Sequence, residues 1–192
     1  MFKDPILKKL FKTHGPHQFA DRSERLMEEL IESVISQQLS VKAADTIYSR
    51  FLNLFKDGKF PTPEQILKID IEKLRSAGMS YSKAAYVKNI ARAFKNRDLD
   101  IQILRKMSDE EAIETLTKIK GVGKWTAEMI LIFTLNREDV FSVGDAGLRR
   151  AIKNLYGITN EKEILKLSET WKTKRSFACW YLWKSLNNTP NT

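Results

Sequence analysis

The sequence predicts an all-α protein. Apolar residues recur at the three-and-four spacing of a helix face almost throughout, and capping residues stand at the head of segment after segment. Strand-like alternation is scarce, with the very short run Asp139-Val140-Phe141-Ser142-Val143 its best case. About ten helices with short connections are expected. No internal repeat, low-complexity tract or long linker interrupts them.

In chain order, Leu26, Leu30, Ile31, Val34 and Ile35 define one helix face. Ser40 caps a helix over Val41–Lys56, with Ile47, Phe51, Leu54 and Phe55 on its apolar side. Thr62-Pro63-Glu64-Gln65 combines an N-cap, a proline at the first helical position and a reciprocal Gln. A helix at 70–76 should stop at Gly78. Ser108-Asp109-Glu110-Glu111 and Asn160-Glu161-Lys162-Glu163 are further capping boxes. Between them, a short helix ends at Gly121, another begins near Lys124 and runs to 135, and a third over 145–156 stops at Gly157. The tail Asn187–Thr192 is polar and is expected to fray.

Composition narrows the function classes. The chain has 192 residues, 42% hydrophobic and 10% aromatic, too rich in core formers for disorder. No apolar run reaches the roughly 18–20 residues of a membrane span, and the N-terminus lacks the apolar stretch of a secretory signal. A single cysteine, Cys179, excludes an intrachain disulfide, a multi-cysteine zinc site and a four-cysteine iron–sulfur cluster. An intracellular protein without a membrane partner is expected. The 33 Lys+Arg against 24 Asp+Glu leave a net charge of +9, which asks for an anionic partner and slightly favours nucleic acid.

The segment from Leu116 to Ala127 is the most informative. Gly121 and Gly123 bracket Val122, and Lys124 opens the next helix. Glycine lets a backbone approach another chain closely, and exposed amides at a helix start suit a phosphate oxygen. Val122 can plug back into the helix pair, while Ala127 and Ile130 let the helices pack closely. By itself this pattern is more often a plain corner between two helices.

The run Asp139-Val140-Phe141-Ser142-Val143-Gly144-Asp145-Ala146-Gly147-Leu148-Arg149-Arg150 follows. Hairpin and spaced aspartate together resemble the helix-hairpin-helix DNA glycosylases, in their alkylbase branch of 3-methyladenine DNA glycosylase II. Ser36-Gln37-Gln38-Leu39-Ser40 with Ala43-Ala44 is similar to that branch's loop entering the minor groove. Gly78-Met79-Ser80-Tyr81-Ser82-Lys83-Ala84 is similar to its Gly-x-x-x-x-Lys-Ala turn, and Trp171-Lys172, Arg175-Ser176, Ala178 and Trp183 to its C-terminal helix. The resemblance covers roughly residues 20–185.

The resemblance implies a two-lobed helical fold with an active-site cleft between the lobes. Residues 30–135 would form the central lobe carrying the hairpin, and 1–29 with 136–192 the second. An additional N-terminal β domain, frequent in such relatives, is not expected here. The implied partner is double-stranded DNA containing damaged bases, the implied state a monomer, and no cofactor is required. The family hairpin can also hold a monovalent cation on backbone carbonyls, which leaves no side-chain signature.

Breaking an N-glycosidic bond builds positive charge on the sugar ring, which a fixed carboxylate stabilises while orienting or deprotonating water. A unit pair at about 4 Å and effective dielectric near 20 is worth roughly 4 kcal/mol, or about a thousandfold in rate. Asp145 matches the family aspartate and is the catalytic candidate. By position alone it is the N-cap of the following helix, and the two roles are compatible because a cap fixes the side chain. Asp139 is the competing carboxylate, off the family position.

The target base must leave the stack. The resemblance assigns Trp125 and Trp183 to its pocket, with Met129 adding a polarisable wall. Trp180 shares a helix face with Trp183; Trp171 is too distant along the chain to join both. Stacking contributes about 1–3 kcal/mol, and a cationic alkylpurine gains up to about 2 kcal/mol more. Such a base is already a good leaving group. Gln38 or Leu39 is the candidate wedge for the gap in the duplex. Gly121, Val122, Gly123, Lys124, Thr126 and Arg149 are the remaining candidate DNA contacts, with Arg150 a lesser one.

Bifunctional relatives place a lysine nucleophile two residues after the hairpin's last glycine. Trp125 stands there, and Lys124 is one residue early, about 100° away around a helix. Simple hydrolysis to an abasic site is therefore expected. Two rivals stay open: a non-catalytic helix-hairpin-helix DNA-binding module, and a glycosylase/lyase using Lys124 on another lesion. His14 and His17 lack a Cys/Asp cluster and read as exposed loop residues. Deaminase zinc motifs and a Walker-type loop are missing from the sequence.

Overall fold

The computed structural model describes residues 2–55 and 59–186. All regular structure among them is helical. In chain order come α1 (Pro5–His14), a 3₁₀ turn (Ser23–Arg25), α2 (Leu26–Ser36), α3 (Val41–Leu52), α4 (Pro63–Lys68) and α5 (Ile71–Ser76). Then follow α6 (Tyr81–Lys95), α7 (Ile101–Leu104), α8 (Asp109–Thr117), α9 (Lys124–Met129) and a π-helical turn (Ile130–Thr134). The chain closes with α10 (Ala146–Tyr156), α11 (Glu161–Glu169) and α12 (Arg175–Ser185).

Local chemistry accounts for most helix starts. Thr62 and Ser108 form complete capping boxes with Gln65 and Glu111. Asn160 accepts from the amides of Lys162 and Glu163, but the reciprocal bond expected from Glu163 is not formed. Gly157 ends α10 at φ 70°, the left-handed cap that glycine adopts without a Cβ clash.

Three helical expectations are corrected. The helix expected over Val41–Lys56 ends at Leu52, because the amides of Leu54 and Phe55 turn back to Phe51 and Leu52 in tight i→i+3 bonds. Lys56 itself, like the tail 187–192, lies outside the described residues. The helix expected to end at Gly121 stops at Thr117, and turns carry the chain to the glycine. The helix expected to reach 135 changes at Ile130 into the π turn, where the Arg137 amide reaches back to Leu131 O. Asp139–Val143 is a loop whose Val140 amide is spent on Ser176 Oγ.

The chain forms two compact units, one of residues 22–130, the other of residues up to 21 together with those from 131 on. These boundaries precede those expected at 29/30 and 135/136. The 3₁₀ turn and the first turn of α2 pack with the first of these units, with Leu26 already buried, and the later boundary falls inside the π turn.

In the unit of residues 22–130, α6 is central and packs against α2, α4 and α5. Leu30, Ile31, Val34 and Ile35 of α2 meet Ala84, Val87 and Ile90 of α6 in its core. Each such large aliphatic contributes about 1.5–3 kcal/mol by leaving water. In the other unit, α12 packs on α1 and α10. It buries Ser176, Ala178, Cys179, Tyr181, Leu182 and Trp183, which face several directions, as befits a helix surrounded by its neighbours. Asp4 ties the N-terminal segment down: it caps α1 and accepts from Tyr156 Oη at 3.0 Å and Trp171 Nε1 at 3.2 Å. His14 and His17 are corrected here. His14 is the last residue of α1, and His17 stacks on Trp180 with ring centroids 3.9 Å apart. The ring that His17 stacks on comes from α12, far along the chain, which local spacing does not reveal.

Candidate active site

In the unit built around α12, Asp145 caps α10 in the extended backbone conformation, and its side chain is 7% exposed. Its Oδ1 accepts from the Leu148 amide at 2.6 Å. The same oxygen accepts from Trp183 Nε1 at 2.9 Å. Two N–H donors from helices far apart in sequence therefore fix one carboxylate oxygen. Charge-assisted bonds of this kind are the strong ones.

Gly147 leaves room for the second bond. A Cβ there would lie 3.1 Å from Asp145 Oδ1 and 3.2 Å from Trp183 Cδ1. A side chain at this position would press the indole or the carboxylate away by a few tenths of an ångström, and glycine spares that shift. Sequence reading missed Gly147 as a site residue, although a glycine within the first turn of a helix, with its cost in propensity, is a readable signal of close approach. Trp183 is fully buried, its ring 5.7 Å from Phe133. It was expected as a wall of the base pocket; its indole N–H is committed to holding Asp145. Trp171 and Trp180 do not join it: Trp171 packs on Tyr156 and Phe141, and Trp180 on His17 and Tyr181.

Asp139 is engaged elsewhere. Its carboxylate receives Arg175 Nε and Nη2, each at 3.0 Å, and the Arg175 amide at 3.1 Å, closing the start of α12. Arg149 bonds Glu161 at 3.0 Å, so its guanidinium faces the first turn of α11. Arg150 is exposed on α10.

In the other unit, α8, the turn and α9 form the hairpin. Gly121 has φ 113°, and a Cβ there would fall 2.3 Å from Cγ of Tyr86. It is glycine on both counts. Gly123 starts α9 with its Cβ direction open. Val122 is buried beneath the turn, as its plug role requires. Lys124 is exposed, its Nζ 4.0 Å from Glu128 Oε1. Trp125 is 42% exposed, whereas Thr126 and Met129 are buried. Thr126, expected among the DNA contacts, is buried, as are Ala127, Glu128 and Met129 after it in α9.

The tip between α2 and α3 exposes Gln38 and Leu39, with Gln38 in the left-handed region at φ 59°. Leu39 is 39% exposed. An aliphatic side chain held outward on a tight turn has the form of a wedge. Lys83, quoted for its resemblance but not assigned a role, donates from Nζ to Ile35 O and Gln37 O, both at 2.7 Å. Burial lowers its pKa from the usual lysine range.

Among the described residues no cluster of three or more His, Cys, Asp or Glu is placed to hold a metal ion. Two hairpin carbonyls already accept protein donors: Lys120 O from Asn89 Nδ2, and Gly121 O from Gln37 Nε2. A monovalent cation on the hairpin backbone would share these oxygens or use others. No helix of the described residues is long and apolar enough to cross a membrane.

Comparison with known proteins gives these placements a context. The family described as HhH-GPD superfamily base excision DNA repair protein matches residues 31–174. DNA-3-methyladenine glycosylase 1 of Schizosaccharomyces pombe is 41% identical over 183 residues, covering 93% of this chain and 80% of that protein. The alkylbase DNA glycosidase-like protein mag2 of the same organism is 36% identical, covering 91% of this chain and 85% of its own. The solved structure of the S. pombe 3-methyladenine DNA glycosylase Mag1 in complex with abasic DNA superposes with a TM-score of 0.84 at 39% identity, covering 99% of this chain and 95% of that one.

Proposed function

Because the chain belongs to the HhH-GPD superfamily of base excision DNA repair proteins, we propose that it is a monofunctional DNA glycosylase. It acts as a monomer on duplex DNA and hydrolyses the N-glycosidic bond of alkylated purines of the 3-methyladenine type. The observation that carries this reading is the buried Asp145 carboxylate, held by the Leu148 amide and the Trp183 indole N–H.

The chemistry follows from the parts. The hairpin amides from Gly123 onward grip a phosphate, and Leu39 or Gln38 fills the space vacated by the everted nucleotide. Trp125 offers an exposed aromatic face for stacking the base, with Met129 behind it in the same helix. Asp145 stabilises the positive charge developing on the sugar and orients the attacking water. The C–N bond breaks with its electron pair leaving on the base, water bonds to the sugar carbon and gives up a proton to the Asp145 carboxylate, and an abasic site remains. The Lys124 ammonium lies toward Glu128 within α9, which supports water rather than an amine as nucleophile.

The test is a panel of duplexes carrying 3-methyladenine, 7-methylguanine, ethenoadenine or hypoxanthine, scored for abasic-site formation. Asp145→Asn should lose about a thousandfold in excision, the worth of one carboxylate–cation pair, while still binding DNA. Equal turnover by wild type and Asp145→Asn, or no turnover of any lesion, would sink the reading. Borohydride trapping of a covalent enzyme–DNA adduct would replace hydrolysis with the lyase alternative.

A further inference from the structure

Helix α6 presents three polar or aromatic side chains at spacings of three, Lys83, Tyr86 and Asn89, which lie along one stripe of a helix. Each meets a different part of the DNA-facing framework. Lys83 Nζ bonds Ile35 O and Gln37 O, the carbonyls that α2 leaves open at its C-terminal end. The ring of Tyr86 lies under Gly121, so close that no side chain fits there. Asn89 Nδ2 bonds Lys120 O at 3.1 Å. Gln37 completes the circuit: its backbone carbonyl is held by Lys83, and its Nε2 donates to Gly121 O at 3.3 Å. The tip with Gln38 and Leu39 starts at the residue after Gln37.

We propose that Lys83 and Gln37 are positioning residues that lock the tip loop to the hairpin, so that wedge and phosphate grip act on the duplex as one rigid body. This rests on the glycosylase reading above and deepens it. A loop that must enter a base stack has to resist being pushed back. Gln38 already sits in a backbone region that residues other than glycine rarely occupy. The turn is further held by one bond of its own, from the Leu39 amide to Ser36 O at 3.1 Å. The ammonium of Lys83 pins the two carbonyls beneath it, and a cation at this end also complements the α2 dipole. Without the clamp the hairpin still binds phosphate, but the tip yields instead of the stack.

The probe is a duplex in which 2-aminopurine flanks a tetrahydrofuran abasic analogue, whose fluorescence rises when the stack opens. It reports wedge entry whether or not a base is excised. Gln37→Leu and Lys83→Met should bind this duplex within about threefold of wild type yet show a much smaller rise, and lose about tenfold in the single-turnover rate of excision, with the half-saturating DNA concentration unchanged. Lys83→Arg, which can still donate to both carbonyls, should restore most of the rise. A full rise and full rate in folded Gln37→Leu would overturn the clamp, as would a loss of affinity that accounts for the whole effect. Should Lys83→Met fail to fold, Gln37→Leu decides alone, since it removes a single long hydrogen bond. If wild type excises no lesion, the functional reading fails while the fluorescence still decides the clamp.

Discussion

At the scale of the residue, the Asp145–Trp183 bond carries the largest consequence. Trp183→Phe keeps most of the ring against Phe133 and removes only the indole N–H donor. Losing one charge-assisted bond should cost about 1.5–3 kcal/mol of the interactions that orient Asp145. The expected outcome is a single-turnover excision rate lower by about tenfold or more, with thermal stability changed far less than by Trp183→Ala. An unaltered rate would show that the carboxylate is held well enough without the indole N–H. His17 gives a second prediction. Burial first, and then the nearby Lys184, hold its pKa below the ordinary 6.5. The unfolded chain therefore binds the proton more readily than the folded one, and stability declines as pH falls through that ordinary value. Urea midpoints at about pH 7.5 and about pH 5 should differ more in wild type than in His17→Phe, which keeps the stack on Trp180 without the titrating group. Equal pH dependence in the two proteins would remove His17 as a cause.

At the scale of the element, the hairpin's two glycines make opposite demands. Gly121 must be glycine for the chain's own sake, with a left-handed backbone and Tyr86 beneath it. Gly121→Ala should destabilise the protein by about 1–3 kcal/mol, read as a lower urea midpoint, and should weaken DNA binding as the turn shifts. Gly123 has φ −87° and open space at its Cβ direction. Gly123→Ala should leave stability within about 0.5 kcal/mol yet still reduce DNA affinity, because on the proposed reading its methyl group would stand where a phosphate approaches. Stability loss in both variants, or neither, would contradict this division. The same contrast marks what was legible in the sequence. Caps at Ser40, Thr62, Ser108 and Asp145 were readable because each bond spans only three residues. The π turn at Ile130, the His17–Trp180 stack and the identity of the ring that Gly147 accommodates were not. They depend on which helices meet, and no local spacing encodes that. Asp145 was found by resemblance, while the donor that holds it, 38 residues further along, became visible only in the fold.

At the scale of the whole molecule, the 33 Lys and Arg residues overstate the number of cations available to a polyanion. Arg25, Arg75, Arg149, Lys172, Lys174 and Arg175 all have carboxylate partners within the chain. Exposed pairs of this sort contribute little to stability. Their effect on binding is larger, because a cation already facing a carboxylate releases fewer counterions when DNA arrives. The logarithm of the affinity for undamaged duplex should fall linearly with the logarithm of salt concentration, with a slope near −0.9 for each phosphate neutralised. Lys124 stands at the hairpin with an exposed side chain and only a distant acid, Glu128 at 4.0 Å. Lys124→Gln should therefore shallow that slope by about one unit, the signature of one lost phosphate contact. Arg149 is bonded to Glu161 at 3.0 Å, and Arg149→Gln should leave the slope unchanged. The reverse ranking, with Arg149 steepening the salt response and Lys124 silent, would mean that the Arg149–Glu161 pair opens on binding and that DNA runs along α10 instead of across the hairpin.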